Sequence, residues 1–182
     1  MLIMKQLVLR NTVVLILVIF VFAMCSKTED YSNIPEIHFK QFTLRDTLDD
    51  LQNSIHKATL YFSFVDGDGD LGLAEGDTFP PFTCDTCPYY YNVFMKVFEK
   101  VDTGYQEIIQ PISTNYRFRY LEVGQNTTIK GTMDIKIDYT PLSFPYDTIR
   151  YEFYIVDRAM HHSNTVVTPD LILNQGDTII KQ

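Results

Sequence analysis

Apolar and polar residues alternate along most of the chain, and this period of two constrains the fold more than any other feature. The clearest case runs from Thr128 to Tyr139, where Ile129, Ile135 and Ile137 share one face and charged or polar residues occupy the other. A strand with this period buries one face and leaves the other in water, which favours antiparallel sheets.

The alternating segments are lettered here as strands in chain order. They are A (35–44), B (57–65), C (92–101), C′ (105–110), D (115–121), E (127–139), F (148–157) and G (164–173). Short strands separated by turn residues are typical of a sandwich or barrel. We therefore predict an all-β fold, namely an immunoglobulin-like or fibronectin type III-like antiparallel β-sandwich. Residues 46–56 predict one helical turn between A and B.

The N-terminus carries an apolar run, Val13 to Met24, that ends on Cys25 and follows two basic residues. The run is short of the roughly 20 apolar residues that a membrane span requires, so it predicts an export signal. It resembles a lipoprotein signal, in which Cys25 becomes the acylated N-terminus. The predicted segments are a signal peptide (1–24), a lipidated cysteine with its tether (25–33) and one domain (34–182). An uncleaved anchor and an ordinary signal cut nearby are the alternatives.

The chain is acidic, with 15 basic and 23 acidic residues and a formal net charge of −8. Its lysines and arginines are scattered singly, and a nucleic-acid-binding surface needs a basic patch. The composition therefore predicts no nucleic-acid partner. A membrane reached through the lipid anchor is the partner that the N-terminus predicts.

The loop after strand B carries aspartates at alternate positions, Asp66, Asp68 and Asp70, within DGDGDLGL. Calcium binds six to eight oxygen ligands, which a flexible acidic loop can supply. With Asp66 as position 1, Asp77 falls at position 12, as in an EF-hand loop, but Leu71 replaces the turn glycine. The pattern predicts a calcium site, and an acidic turn without an ion is the alternative.

The topology of the predicted sandwich adds a candidate ligand from a distant part of the chain. In immunoglobulin-like folds, the B–C and F–G loops lie at the same pole. Strand F ends at Asp157, so Asp157 should lie beside the aspartates of the B–C loop. Either Asp157 completes the calcium site, or the neighbouring Arg158 neutralises the acidic residues instead.

The B–C loop also contains the pair Cys84 and Cys87, outside the reducing cytosol if the export signal is genuine. A structural disulfide is the leading interpretation. A redox dithiol needs a helix N-terminus, which the flanking prolines disfavour. A zinc site with His161 and His162 is the other alternative, although adjacent histidines depart from the usual spacing.

Several segments together resemble uncharacterised outer-membrane lipoproteins of the Bacteroidota. They are the cysteine after the apolar run, a Pro-Glu-Ile strand at 35–37, FSFVDGDGDLGL at 62–73 and IVDRAMHHSN at 155–164. The resemblance implies an immunoglobulin-like domain and an outer-membrane location, and it carries no assigned activity. Charged residues after the cysteine, Lys27, Glu29 and Asp30, resemble signals for display on the cell surface.

These observations favour a non-enzymatic lipoprotein that acts as a binding or structural module. The sequence contains no phosphate-binding glycine loop, HExxH motif or recognisable nucleophile–base arrangement, so an enzyme is not predicted. The alternative is a surface carbohydrate-binding lipoprotein. Its candidate aromatic residues lie in the B–C loop and are Phe79, Phe82, Tyr89, Tyr90 and Tyr91.

Overall fold

The computed structural model of the protein describes residues 5, 6, 11, 31–82, 87–121, 127–140 and 144–182. The chain divides into two compact units, Met1–Asp30 and Tyr31–Gln182. In the first, Lys5, Gln6 and Asn11 are helical. None of the described residues belongs to a helix long and apolar enough to cross a membrane. Cys25 and the rest of the predicted signal peptide lie outside the described residues, so both stay predictions.

Strands dominate the described part of the second unit. They are β1 (Glu36–Leu48), β2 (Ser54–Asp66), β3 (Val93–Val101), β4 (Gly104–Glu107), β5 (Ile129–Tyr139), β6 (Thr148–Ile155), β7 (Val166–Val167), β8 (Leu171–Ile172) and β9 (Thr178–Lys181). One sheet has the order β5-β2-β1-β9, and the other has the order β4-β3-β6-β7 with β8 also paired to β6. All of these pairs are antiparallel.

This pairing places the predicted strands A, B and E in one sheet and C′, C, F and G in the other. The prediction of an all-β sandwich is therefore confirmed. It also places the end of β2 and the turn after β6 at one pole, because Arg158 donates its backbone N–H to the carbonyl of Asp70 at 3.3 Å. The two loops that carry the predicted site residues thus meet.

The core fills the space between the two sheets with the apolar faces of the alternating strands. On β2, Ala58, Leu60, Phe62 and Phe64 are all buried, as their alternation predicts. The Phe62 ring packs edge-to-face against Phe153 of the opposite sheet, with ring centroids 5.3 Å apart. Ile135 and Ile155 are also buried, which confirms the register predicted for their strands.

The prediction of a strand D over residues 115–121 is wrong. This segment forms only isolated bridges, Val93 with Tyr116 and Leu73 with Arg119. The side chain of Asn92 instead holds the backbone of Phe118, donating to its carbonyl at 2.9 Å and accepting from its N–H at 2.8 Å. A side-chain amide that takes both backbone groups of one residue replaces the ladder of a neighbouring strand.

Two further expectations about the secondary structure need correction. Residues 46–56 form no helical turn: β1 continues to Leu48 and β2 begins at Ser54, and the Asp49 carboxylate accepts the N–H groups of Leu51 and Asn53 between them. The predicted strand G is two short strands, β7 and β8. Pro169 lies between them and has no backbone N–H to donate to a neighbouring strand.

Candidate metal centre

The three aspartates after strand B come together because β2 ends at Asp66 and the chain then turns back on itself. Asp66 still pairs with Ile129 of β5, so the carboxylate of the first aspartate is fixed by the sheet. Gly69 has a φ of 71°, in the left-handed region that glycine adopts without strain. The turn therefore wraps the next two aspartates around the position of Asp66. We call residues 66–70 the aspartate turn.

The carboxylates of Asp66, Asp68 and Asp70 offer oxygens that all lie within 4.8 Å of one another. We call these residues the three-aspartate group. Asp66 is fully buried, and its Oδ2 accepts the N–H of Asp70 at 3.0 Å. Asp70 Oδ2 accepts the N–H of Ala159 at 3.0 Å.

One oxygen of each carboxylate has no hydrogen-bond partner among the residues that the structure describes. These are the Oδ1 atoms of Asp66, Asp68 and Asp70, and all three are buried. Buried polar atoms in proteins are nearly always hydrogen-bonded or bound to an ion or water, so three such atoms in one turn require an explanation. A hard cation takes carboxylate oxygens of this kind as ligands.

The electrostatics of the three-aspartate group are unfavourable without a cation. Burial raises the pKa of Asp66 to about 7, and the charges of Asp68 and Asp70 add to this effect. Burial also raises the pKa of Asp70 to about 6, with a further contribution from Asp157. Removing a carboxylate from water disfavours its charged form, and like charges nearby disfavour it further.

Asp157 lies next to the three-aspartate group, as the predicted topology indicates, but its oxygens already have partners. It is buried, its Oδ1 accepts the N–H of His161 at 2.7 Å, and its Oδ2 lies 2.9 Å from His161 Nδ1. Burial raises the pKa of Asp157, and the bonds to His161 oppose that shift. Asp157 therefore adds negative charge near the three-aspartate group, while both of its carboxylate oxygens contact His161.

Asp77 does not join the three-aspartate group. It is buried, its Oδ2 accepts the N–H of Ala74 at 2.7 Å, and its Oδ1 accepts a bond from Arg158 Nη2 at 2.8 Å. The guanidinium of Arg158 also lies over the ring of Tyr120, 4.9 Å from its centroid. The side chain of Arg158 therefore pairs with Asp77, and not with the three aspartates that it was predicted to neutralise.

The described residues include only one of the two cysteines of the B–C loop, Cys87. Cys84 lies outside the described residues, so the disulfide between Cys84 and Cys87 stays a prediction. The histidines of the zinc alternative have other contacts. His161 bonds to Asp157, and His162 Nε2 lies 3.2 Å from the hydroxyl of Tyr89.

The aromatic residues of the carbohydrate alternative pack mainly against one another. Phe79 and Phe82 meet edge-to-face with centroids 6.0 Å apart, and Phe82 is buried. Tyr90 and Tyr91 also meet edge-to-face, with centroids 4.9 Å apart. Rings paired at right angles do not form the flat surface on which a sugar ring stacks.

The segment before β1 contacts the aspartate turn, and no pattern in the sequence predicts this contact. The N–H of Gly67 donates to the carbonyl of Ser32 at 2.9 Å, and Lys130 Nζ lies 5.5 Å from the centroid of the Tyr31 ring. The compact unit that contains the β-sandwich includes these residues, since it begins at Tyr31. Gly67 is the one residue in the sequence that points to this contact, because a glycine between two aspartates permits close approach of another backbone.

Comparison of the chain with protein-family models, with curated proteins and with solved structures found no match.

Proposed function

We propose that this protein is a membrane-anchored lipoprotein whose β-sandwich is a non-enzymatic binding or structural module stabilised by calcium. The observation that carries the calcium part is the set of three buried Oδ1 atoms without a partner among the described residues. They belong to three carboxylates that each offer one oxygen within 4.8 Å of an oxygen from each of the others. A cation there would satisfy the three oxygens and offset the repulsion between the carboxylates.

Calcium suits this turn better than magnesium or zinc. The donors are carboxylate oxygens, which hard cations prefer, whereas structural zinc sites use thiolates and imidazoles. Magnesium requires a near-ideal octahedron of six ligands at about 2.0–2.1 Å, while calcium accepts six to eight ligands in a flexible geometry. Asp66, Asp68 and Asp70 would supply the protein ligands of a partly hydrated calcium ion, and Asp157 would add negative charge beside it.

The membrane part of the proposal rests on the sequence. The acylated Cys25 would hold the protein on the outer membrane, and the charged residues after it favour display at the cell surface. Substituting Cys25→Ser in cells should abolish labelling with a fatty-acid analogue and release the protein from the membrane fraction. Full retention of the unlabelled variant in the membrane fraction would show that the apolar run itself is the anchor.

A thermal denaturation series tests the calcium site. The wild type should melt at a higher temperature in several millimolar calcium than in chelator, because a ligand that binds only the folded state stabilises it by RT ln(1 + [L]/Kd). At about a hundredfold excess over Kd, this stabilisation is roughly 2.7 kcal/mol. Magnesium should raise the melting temperature less.

Asp68→Asn should reduce the calcium shift while changing the melting temperature in chelator little. The matched control is Asp134→Asn, which makes the same change on the exposed face of β5 and should keep the full shift. Identical melting of the wild type in calcium and in chelator would refute the calcium site.

A further inference from the structure

The residues just before β1 lie directly against the aspartate turn. We call residues 31–33, the last residues of the predicted tether, the tether end. The carbonyl of Ser32 accepts the N–H of Gly67, and Ser32 Oγ accepts the N–H of Ile34 at 3.0 Å. Lys130 of β5 lies over the ring of Tyr31. The chain that comes from the predicted lipid anchor therefore reaches the domain at the candidate calcium site.

This contact is possible only because residue 67 is glycine. A Cβ at this position would lie 2.4 Å from the carbonyl oxygen of Tyr31 and 2.5 Å from that of Ser32, far inside van der Waals contact. The backbone of Gly67 lies outside the left-handed region, so its own conformation does not require glycine. The close approach of the tether end is what excludes a side chain here.

We infer that cation binding by the three-aspartate group and docking of the tether end on Gly67 are coupled, so that calcium controls how firmly the tether end is held on the domain. This inference rests on the proposed calcium site. Gly67 lies between two of the three aspartates, and the Asp66 side chain beside it is fully buried with Oδ1 lacking a described partner. A cation that holds Asp66 and Asp68 fixes the backbone between them, and that backbone presents the N–H to Ser32.

The other side of Gly67 is already fixed by the sheet. Its carbonyl accepts a bond from Thr128 Oγ1 at 3.1 Å, immediately before β5 begins. Gly67, whose N–H bonds the tether end, is thus held by Thr128 at its carbonyl and would be held by the cation through the neighbouring aspartates. Without a cation, repulsion among the carboxylates displaces the turn and weakens the bond to Ser32. Release of the three residues of the tether end would lengthen the tether by about 10 Å, at ~3.3–3.6 Å per extended residue.

The test uses the full-length chain in detergent micelles. Calcium affinity is measured by isothermal titration calorimetry for the wild type, Gly67→Ala and the matched control Gly76→Ala. Gly76 lies in the same loop, and a Cβ there would meet nothing within 4 Å. Typical couplings between sites change affinity by 5–150-fold, so Gly67→Ala should weaken calcium binding at least about fivefold. Gly76→Ala should bind calcium like the wild type.

Coupling is reciprocal, so calcium must also act on the tether end by the same factor. Hydrogen exchange of the Ile34 amide in the wild type should slow at least about fivefold in calcium relative to chelator. Tyr31→Ala, which removes the contact with Lys130 and leaves the turn intact, provides a second variant should Gly67→Ala fail to fold. It too should weaken calcium binding.

Two negative outcomes are distinguishable. A wild type that binds no calcium refutes the proposed site and this inference with it. A wild type that binds calcium with unchanged exchange at Ile34, and with unchanged affinity in Tyr31→Ala, refutes the coupling alone and leaves the calcium site standing.

Discussion

The buried carboxylates of the aspartate turn make the stability of the ion-free protein depend on pH in an unusual direction. The pKa of Asp66 is raised by burial to about 7, from a value of 3.8 in the unfolded chain. Well below pH 3.8, Asp66 is neutral in both states and contributes no pH dependence. Between these two values, the folded state binds a proton that the unfolded state has lost, so the free energy of unfolding falls as pH rises.

The magnitude follows from the width of that interval. Each pKa unit is worth about 1.4 kcal/mol, so Asp66 should lower the free energy of unfolding by about 3 kcal/mol between pH 4.5 and pH 8. Asp70, with a pKa of about 6, acts in the same direction. His161 does so too, because the bond to Asp157 raises its pKa and the stability it contributes below pH 6.5 is lost as pH rises. Most soluble domains reach maximal stability between about pH 5 and pH 8 instead.

Urea denaturation in chelator at several pH values measures this slope. The free energy of unfolding should fall from pH 4.5 to pH 8 by about 3 kcal/mol or more. In saturating calcium the decline should disappear, because the bound carboxylates stay deprotonated in the folded state. The calcium effect should consequently be small at pH 4.5 and large at pH 8.

Asp66→Asn tests how much of this pH dependence comes from Asp66 and how much from other groups. The variant cannot titrate at position 66, so about 3 kcal/mol of the fall in chelator should be lost while the part due to Asp70 and His161 remains. The exposed control Asp134→Asn should keep the whole fall. A wild type whose stability in chelator is flat or rises over this range would refute the reasoning. So would an Asp66→Asn variant with the full slope.

Three further expectations concern the rest of the domain. Phe153→Ala removes a fully buried ring and should lower the free energy of unfolding by ~3–5 kcal/mol. Phe79 is half-exposed, so Phe79→Ala should cost little. Equal losses would contradict the assignment of Phe153 to the core. Asp77→Asn removes the charge that pairs with Arg158 and leaves one acceptor oxygen for two donors, Arg158 and the Ala74 N–H. It should cost about 1–3 kcal/mol equally in calcium and chelator, and a loss confined to calcium would make Asp77 a ligand. Tyr139→Phe leaves the buried Tyr151 hydroxyl without its partner. It should lower the free energy of unfolding, measured by denaturant titration, by ~1–3 kcal/mol. No loss would indicate that the Tyr151 hydroxyl has another partner.

The sequence predicts the faces of the strands well and their partners less well. Alternation on β2 identified Leu60 and Phe62 as buried, because period two is a local property that the pleat converts directly into burial. Residues 115–121 show the same alternation and form no strand. Their backbone bonds go to Leu71, Leu73, Asn92 and Val93, which are distant in sequence. A local pattern cannot report which distant group takes a backbone bond.

The candidate site shows the same division. The sequence groups Asp66, Asp68 and Asp70 in one loop, and the structure brings their carboxylates together because the two glycines between them favour a tight turn. Asp157 was placed at the same pole by topology. Asp77 was assigned by counting along an EF-hand loop, and that counting assumes a helix-flanked loop that this strand-flanked turn does not have. The tether end was missed because the bond from Gly67 to Ser32 leaves no periodic signal in the sequence.

The position of the aspartate turn explains why its charges matter. Carboxylates on an exposed loop would be screened by salt over a Debye length of about 8 Å and would cost the fold little. Here Asp66 ends a strand of one sheet and is fully buried. Asp70 bonds to the backbone of Arg158 and Ala159, which follow a strand of the other sheet. Gly67, between these aspartates, bonds the tether end. Repulsion among these carboxylates therefore acts where both sheets meet the tether end. Protonation of Asp66 or the proposed cation would relieve it, and at neutral pH and above the cation would be the more effective of the two.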